Sequence, residues 1–85
     1  LAADVREFEP RLALVAGASG LEVYQRLLPE VLEKLQPGGW LLLETSPMLS
    51  ESLVELIEGT DGLGPAKLTR DLAGHPRVVR TQRCS

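Results

Sequence analysis

Apolar and polar residues change their period several times along this 85-residue chain, and each change marks an element. Leu21, Tyr24, Leu27, Leu28, Val31, Leu32 and Leu35 recur at intervals of three and four, with Glu22, Arg26, Glu30, Glu33 and Lys34 opposite them. That spacing predicts an amphipathic helix of roughly four turns with a wide apolar face. Ser19, followed three residues later by Glu22, has the form of a capping box at its start. Pro29 falls inside the pattern, where it removes one hydrogen bond and crowds the carbonyl of Gln25, so a kink is expected there. The pattern then breaks at Pro37-Gly38-Gly39, a reversal, and four apolar residues follow without alternation, Trp40 to Leu43. A buried helix shares that periodicity, but the Gly-Gly start and the short length favour a strand covered on both faces, in the middle of an α/β sheet. Glu44 stands at its carboxyl end, the edge where open α/β sheets place their ligands.

Beyond Glu44, Ser46 is positioned to cap a second helix, with Pro47 at its first position, where a missing N–H costs nothing. Leu49, Leu53, Leu56 and Ile57 share one face and Gly59 ends it. Strand, turn and helix in that order imply a further parallel strand, for which Ala66 to Arg70 is the candidate, with Ala66 and Leu68 inward. Asp71 to Pro76 reads as a turn, and Arg77 to Arg83, led by Val78-Val79, as a returning antiparallel strand. On the amino side of the first helix, Pro10 disfavours helix at Glu9. Leu12, Leu14 and Ala16 alternate with smaller or charged neighbours, as in a short edge strand or an ordered loop. Ala16-Gly17-Ala18-Ser19-Gly20 matches neither the dinucleotide fingerprint nor a P-loop and reads as a linker into the helix cap.

Composition adds limits. A 44% hydrophobic and 25% charged chain of this length makes one small globular domain. The net charge of −3 is unevenly spread: residues 1 to 62 hold 4 basic and 11 acidic side chains, residues 63 to 85 hold 5 and 1. No aromatic residues interleave with Lys67, Arg70, Arg77, Arg80 and Arg83, so these read as solvated strand edges rather than a nucleic-acid platform. Cys84 is the only cysteine; an internal disulfide is impossible and a reducing compartment is expected. No apolar run approaches transmembrane length and no signal peptide is seen, so a soluble protein is expected. The chain opens on Leu1 without an initiator Met, so removal of something upstream is one expectation, with processing and the choice of start point as equal explanations. His75 has no Cys or second His to share a metal and reads as a turn residue. Tyr24, on the apolar helix face, reads as core rather than as a ligand-facing hydroxyl.

Several blocks together carry a resemblance: Val5-Arg6-x-Phe8-Glu9-Pro10-x-x-Ala13-Leu14, Ser19-Gly20-Leu21, Leu27-Leu28-Pro29-Glu30, Pro37 to Glu44, and Arg70-Asp71-Leu72-Ala73-Gly74-His75-Pro76-Arg77-Val78-Val79. In this order the chain resembles the C-terminal part of the HemK/PrmC family, the N5-glutamine methyltransferases of peptide-chain release factors. The resemblance implies an α/β fold, the C-terminal segment of a class I, Rossmann-like, S-adenosylmethionine-dependent methyltransferase sheet, running helix–strand–helix and then an antiparallel hairpin. Residues 1–85 would form the C-terminal part of one catalytic domain whose cofactor-binding half lies elsewhere, inactive alone; a non-catalytic interaction module and a fragment of a methyltransferase with another substrate are the alternative readings. The family's Gly-rich cofactor loop and its Asn-Pro-Pro-Tyr motif have no counterpart here, so no catalytic, cofactor-binding or metal-binding residue is assigned. Glu9 and Pro10, close to where that motif would stand, and Glu44, at the end of the central strand, are the candidates for substrate binding. Thr45-Ser46-Pro47-Met48-Leu49 departs from the Ile-Gly and following Gln usual in the family. The implied cofactor is S-adenosylmethionine and the implied partner a release factor, in the cytoplasm or, for an organellar member, the mitochondrion; no membrane or nucleic acid is implied.

One expectation is purely physical. Successive right-handed crossovers place both helices on one face of the sheet, leaving the other apolar face of Trp40 to Leu43 without a layer from this chain. The isolated chain should then self-associate through that face, fold only partly, or be ordered because the rest of its protein covers it.

Overall fold

The computed structural model describes residues 4–9, 11–16 and 20–84. Five strands, β1 (Asp4–Glu9), β2 (Leu12–Ala16), β3 (Trp40–Glu44), β4 (Lys67–Arg70) and β5 (Pro76–Gln82), form one mixed sheet in the order β1-β2-β3-β5-β4. Helix α1 (Leu21–Lys34) links β2 to β3, and α2 (Ser50–Glu58) lies between β3 and β4. The architecture is therefore α/β, as expected, with the Trp40 strand at its centre, parallel to β2 and antiparallel to β5.

The register sorts every strand residue onto one of two faces, because successive side chains alternate. Ala13 and Val15 pair with Leu41 and Leu43, which pair in turn with Thr81 and Val79, and all six are buried. Tyr24, Leu28, Val31 and Leu35 of α1 and Leu53 and Ile57 of α2 join them in a single core, so the two helices share one face, as the crossover argument requires. Leu12, Leu14 and Leu42 point the other way and are only half-buried, Trp40 beside them is 43% exposed, and Glu44 is exposed. The strand expected to be covered on both faces is covered on one, because no described element packs on the second. Arg80 reaches across that open face to within 5.9 Å of the Trp40 ring centroid, shielding part of the indole.

Other details depart from the sequence reading. Strands β1 and β2 pair antiparallel, and β2 is an interior strand rather than an edge, since β1 covers its outer side. Its larger residues, Leu12 and Leu14, take the open face, while Ala13 and Val15 enter the core. Ser19 lies outside the described residues; Gly20 is the N-cap of α1 and makes no side-chain cap. Helix α1 runs through Pro29, which is exposed together with Gln25, so the carbonyl deprived of its partner lies on the water-facing side. The second helix begins later than expected. Pro47 to Leu49 form a turn, the backbone N–H groups of Leu49 and Ser50 both donate to the Ser46 carbonyl, and no side chain caps the helix. At its far end the Thr60 hydroxyl donates to the Leu56 carbonyl at 2.6 Å, satisfying a terminal acceptor.

The expected parallel strand, β4, runs in the direction of β3 but is separated from it by β5, which pairs antiparallel with both. The Pro37-Gly38-Gly39 reversal is fastened to the end of β5: Gly38 N–H donates to Arg83 O at 2.9 Å, Arg83 N–H to Gly39 O at 2.8 Å, and the Gln82 amide to Gly38 O at 2.8 Å. Gly38 holds φ +83, where a side chain would be strained.

Candidate carboxyl-edge site

Strands β2, β3 and β4 all end at one edge of the sheet, where β5 begins. The Glu44 carboxylate is exposed there. The backbone that carries it is tied on two sides. Thr45 N–H donates to Arg77 O at 2.9 Å, toward β5. The Tyr24 hydroxyl donates to the Glu44 carbonyl from the helix side. The β2–β3 ladder ends at the Val15–Leu43 pair, so the phenol supplies a partner just where the ladder stops. Tyr24 is 1% exposed. Burial, and then the charge of Glu44, push its pKa up from 10.0, so it remains a neutral donor at physiological pH.

The β4–β5 turn at the same edge is organised by Asp71. Its Oδ1 accepts from the backbone N–H groups of Ala73 and His75, both at 2.9 Å. Its Oδ2 accepts from Arg77 Nε at 2.7 Å and lies 3.8 Å from His75 Nδ1. These donors, Arg77 first, hold the Asp71 carboxyl below the ordinary carboxylate range. Gly74, at φ +85, closes the turn, and the Arg70 guanidinium donates to its carbonyl at 3.0 Å. Leu72 at the tip is fully exposed and Met48, after β3, is 91% exposed. His75 is thus a turn residue, and among the described residues no three His, Cys, Asp or Glu side chains gather as metal ligands.

The structure holds the Glu9 backbone and Glu44 at opposite edges of the sheet. Pro10 lies outside the described residues. The Glu9 backbone pairs with Leu12, which pairs with Trp40, placing it at the amino edge. Glu44 stands at the other end of β3, about 13 Å away along four residues. Tyr24 is the residue that sequence reasoning left in the core; its position on the apolar face was evident, its bond to Glu44 O was not.

No family model matches the chain, and no solved structure does. Curated proteins match over almost all of it. Release factor glutamine methyltransferase of Rhodopirellula baltica is 42% identical over 83 residues, 98% of this chain and 28% of the relative. The proteins of that name from Caulobacter vibrioides and Koribacter versatilis are 41% and 37% identical over 76 residues, 89% of this chain and 26% of each relative. The resemblance drawn from the sequence blocks is borne out, and the chain spans about a quarter of the length of the relatives it matches.

Proposed function

We propose that this chain, related from end to end to release factor glutamine methyltransferases, is part of an enzyme that transfers a methyl group from S-adenosylmethionine to the side-chain amide nitrogen of a release-factor glutamine. The observation that carries the reading is the 42% identity over 98% of the chain. On this reading residues 1–85 are the C-terminal part of a class I, Rossmann-like catalytic domain, and the carboxyl edge around Glu44 faces the substrate.

The described residues do not themselves fit the cofactor. A sulfonium with a ribose diol calls for backbone donors at a glycine-rich strand-to-helix turn and a carboxylate at a following strand end. The depression beside Trp40 is lined instead by Lys67, Gln82, Arg83 and Cys84, and its cations repel a sulfonium. No step is therefore routed through residues of this chain and the cofactor.

What these residues offer is positioning. An amide nitrogen is a poor nucleophile because its lone pair is delocalised into the carbonyl, so the enzyme gains most by holding it in a near-attack orientation. An exposed carboxylate on a strand end tied from two sides accepts an amide N–H and limits its rotation. Glu44 is assigned that part. Glu9 and Pro10 are assigned substrate contact through the resemblance alone.

The test uses two preparations. The longer protein containing this chain, incubated with a release factor and S-adenosylmethionine, should add one methyl to a single glutamine, read by mass spectrometry of the digested factor. The 85-residue chain alone should neither methylate nor bind the cofactor in isothermal titration. A longer protein that leaves the glutamine unmodified would refute the assignment, and one-to-one micromolar binding by the short chain would refute the placing of the cofactor site outside it.

A further inference from the structure

We propose that Tyr24 is a positioning residue for Glu44, the phenol setting the end of β3 so that the carboxylate presents at the carboxyl edge. The inference rests on the reading of that edge as the substrate side.

Three observations meet at this point. The Tyr24 hydroxyl donates to the Glu44 carbonyl itself and not to a neighbour along the strand. The parallel ladder has already ended one residue earlier, at Val15 and Leu43, so beyond that pair β2 gives β3 no further support. On the other side, the Thr45 N–H to Arg77 O bond holds the next residue. The peptide between Glu44 and Thr45 is thus held at its carbonyl by helix α1 and at its N–H by β5. Two such tethers on a single peptide plane fix the direction from which the Glu44 side chain leaves. A tyrosine needed only to fill the core would be replaceable by Phe at this site, because its ring is buried among apolar side chains. The hydroxyl is the part that reaches the strand end, and Phe removes that alone.

The geometry makes Tyr24 act through Glu44, so its effect vanishes when Glu44 is already neutralised. In the longer protein, Tyr24→Phe should raise KM for the release factor severalfold by freeing the direction of the Glu44 carboxylate, with kcat changed far less. Glu44→Gln should raise KM by at least as much, and the double variant should match Glu44→Gln. Leu28→Val, which loosens the same helix in the same core without touching the bond, serves as a control for simple destabilisation: it should lower Tm and leave KM in place. Additive effects of Tyr24→Phe and Glu44→Gln would overturn the proposal, as would a Tyr24→Phe protein that loses Tm like Leu28→Val with KM unmoved. Unchanged kinetics in Glu44→Gln would overturn it too, while wild-type methylation of the release factor in the same assay leaves the enzyme assignment standing.

Discussion

Leu42 and Leu43 are chain neighbours with opposite surroundings, and truncating each in turn measures whether the sheet has a single core face. Leu43 is fully buried between α1, α2 and the strands beside it. Its replacement by Ala removes the transfer free energy of the lost atoms and leaves a cavity, together about 2–5 kcal/mol. A chain of 85 residues has about 4–13 kcal/mol of total stability, so this one change removes a large fraction of it. Leu42 is half-buried on the face that no described helix covers, and its replacement by Ala should cost about 1 kcal/mol. Urea unfolding of the isolated chain followed by Trp40, the only tryptophan, reads both. The midpoint should fall sharply for Leu43→Ala and little for Leu42→Ala. If the wild-type chain sediments as an oligomer, Leu42→Lys should return it to a monomer, because the charge falls in the apolar patch. Equal losses at the two positions, or a monomeric wild-type chain with a sharp transition and no dye binding to apolar surface, would refute the one-faced core.

Three further outcomes are expected. Tyr24 is the only tyrosine, so absorbance titration reports it alone; its phenolate should form above pH 10, and because the folded-state pKa is the higher one, stability should fall as pH rises from about 10 through that value. Asp71 has the opposite sign: its pKa is lowered in the fold, so its contribution is present above about pH 4 and is lost as pH falls through the folded value, and Asp71→Asn should be less stable than wild type at neutral pH, the two unfolding curves converging in acid. A Cβ at Gly39 would lie 2.7 Å from Leu35 Cδ1 and 2.8 Å from Gln36 O, whereas Gly38 has open space but φ +83; Asn, which tolerates left-handed backbone, should therefore recover stability relative to Ala at position 38 and not at position 39, each Ala costing about 1–3 kcal/mol by thermal unfolding.

Long, strongly periodic segments were legible in the sequence. The face of α1 is the one expected, and so is the place of Trp40 to Glu44 at the centre of the sheet. What escaped depends on partners distant in the chain. Leu12 and Leu14 outweigh Ala13 and Val15 in apolar size, yet the smaller pair enters the core, because β2 must match the faces of Leu41 and Leu43. In a strand apolar on both faces, hydrophobicity alone cannot decide the parity. Ser46 looked like a side-chain cap, but its carbonyl takes the two N–H groups and the turn adds residues before the helix. At the candidate site, the strand pattern located Glu44. The bond from Tyr24 depended on how far α1 slides along the sheet, which no local pattern encodes.

The order β1-β2-β3-β5-β4 also bears on how the chain can be made. Strand β5 is threaded between two strands made before it, so among the described strands β3 has only one flank, and β4 has none, until Gln82 has left the ribosome. A nascent chain that has reached Arg70 holds the apolar stretch Trp40 to Leu43 with an open hydrogen-bonding edge. Pairings of that span form late because loop closure must precede them, and the interval is one in which the edge is available to other chains. Synthesis that pauses between β4 and β5 should therefore favour aggregation more than a pause of the same length before β3.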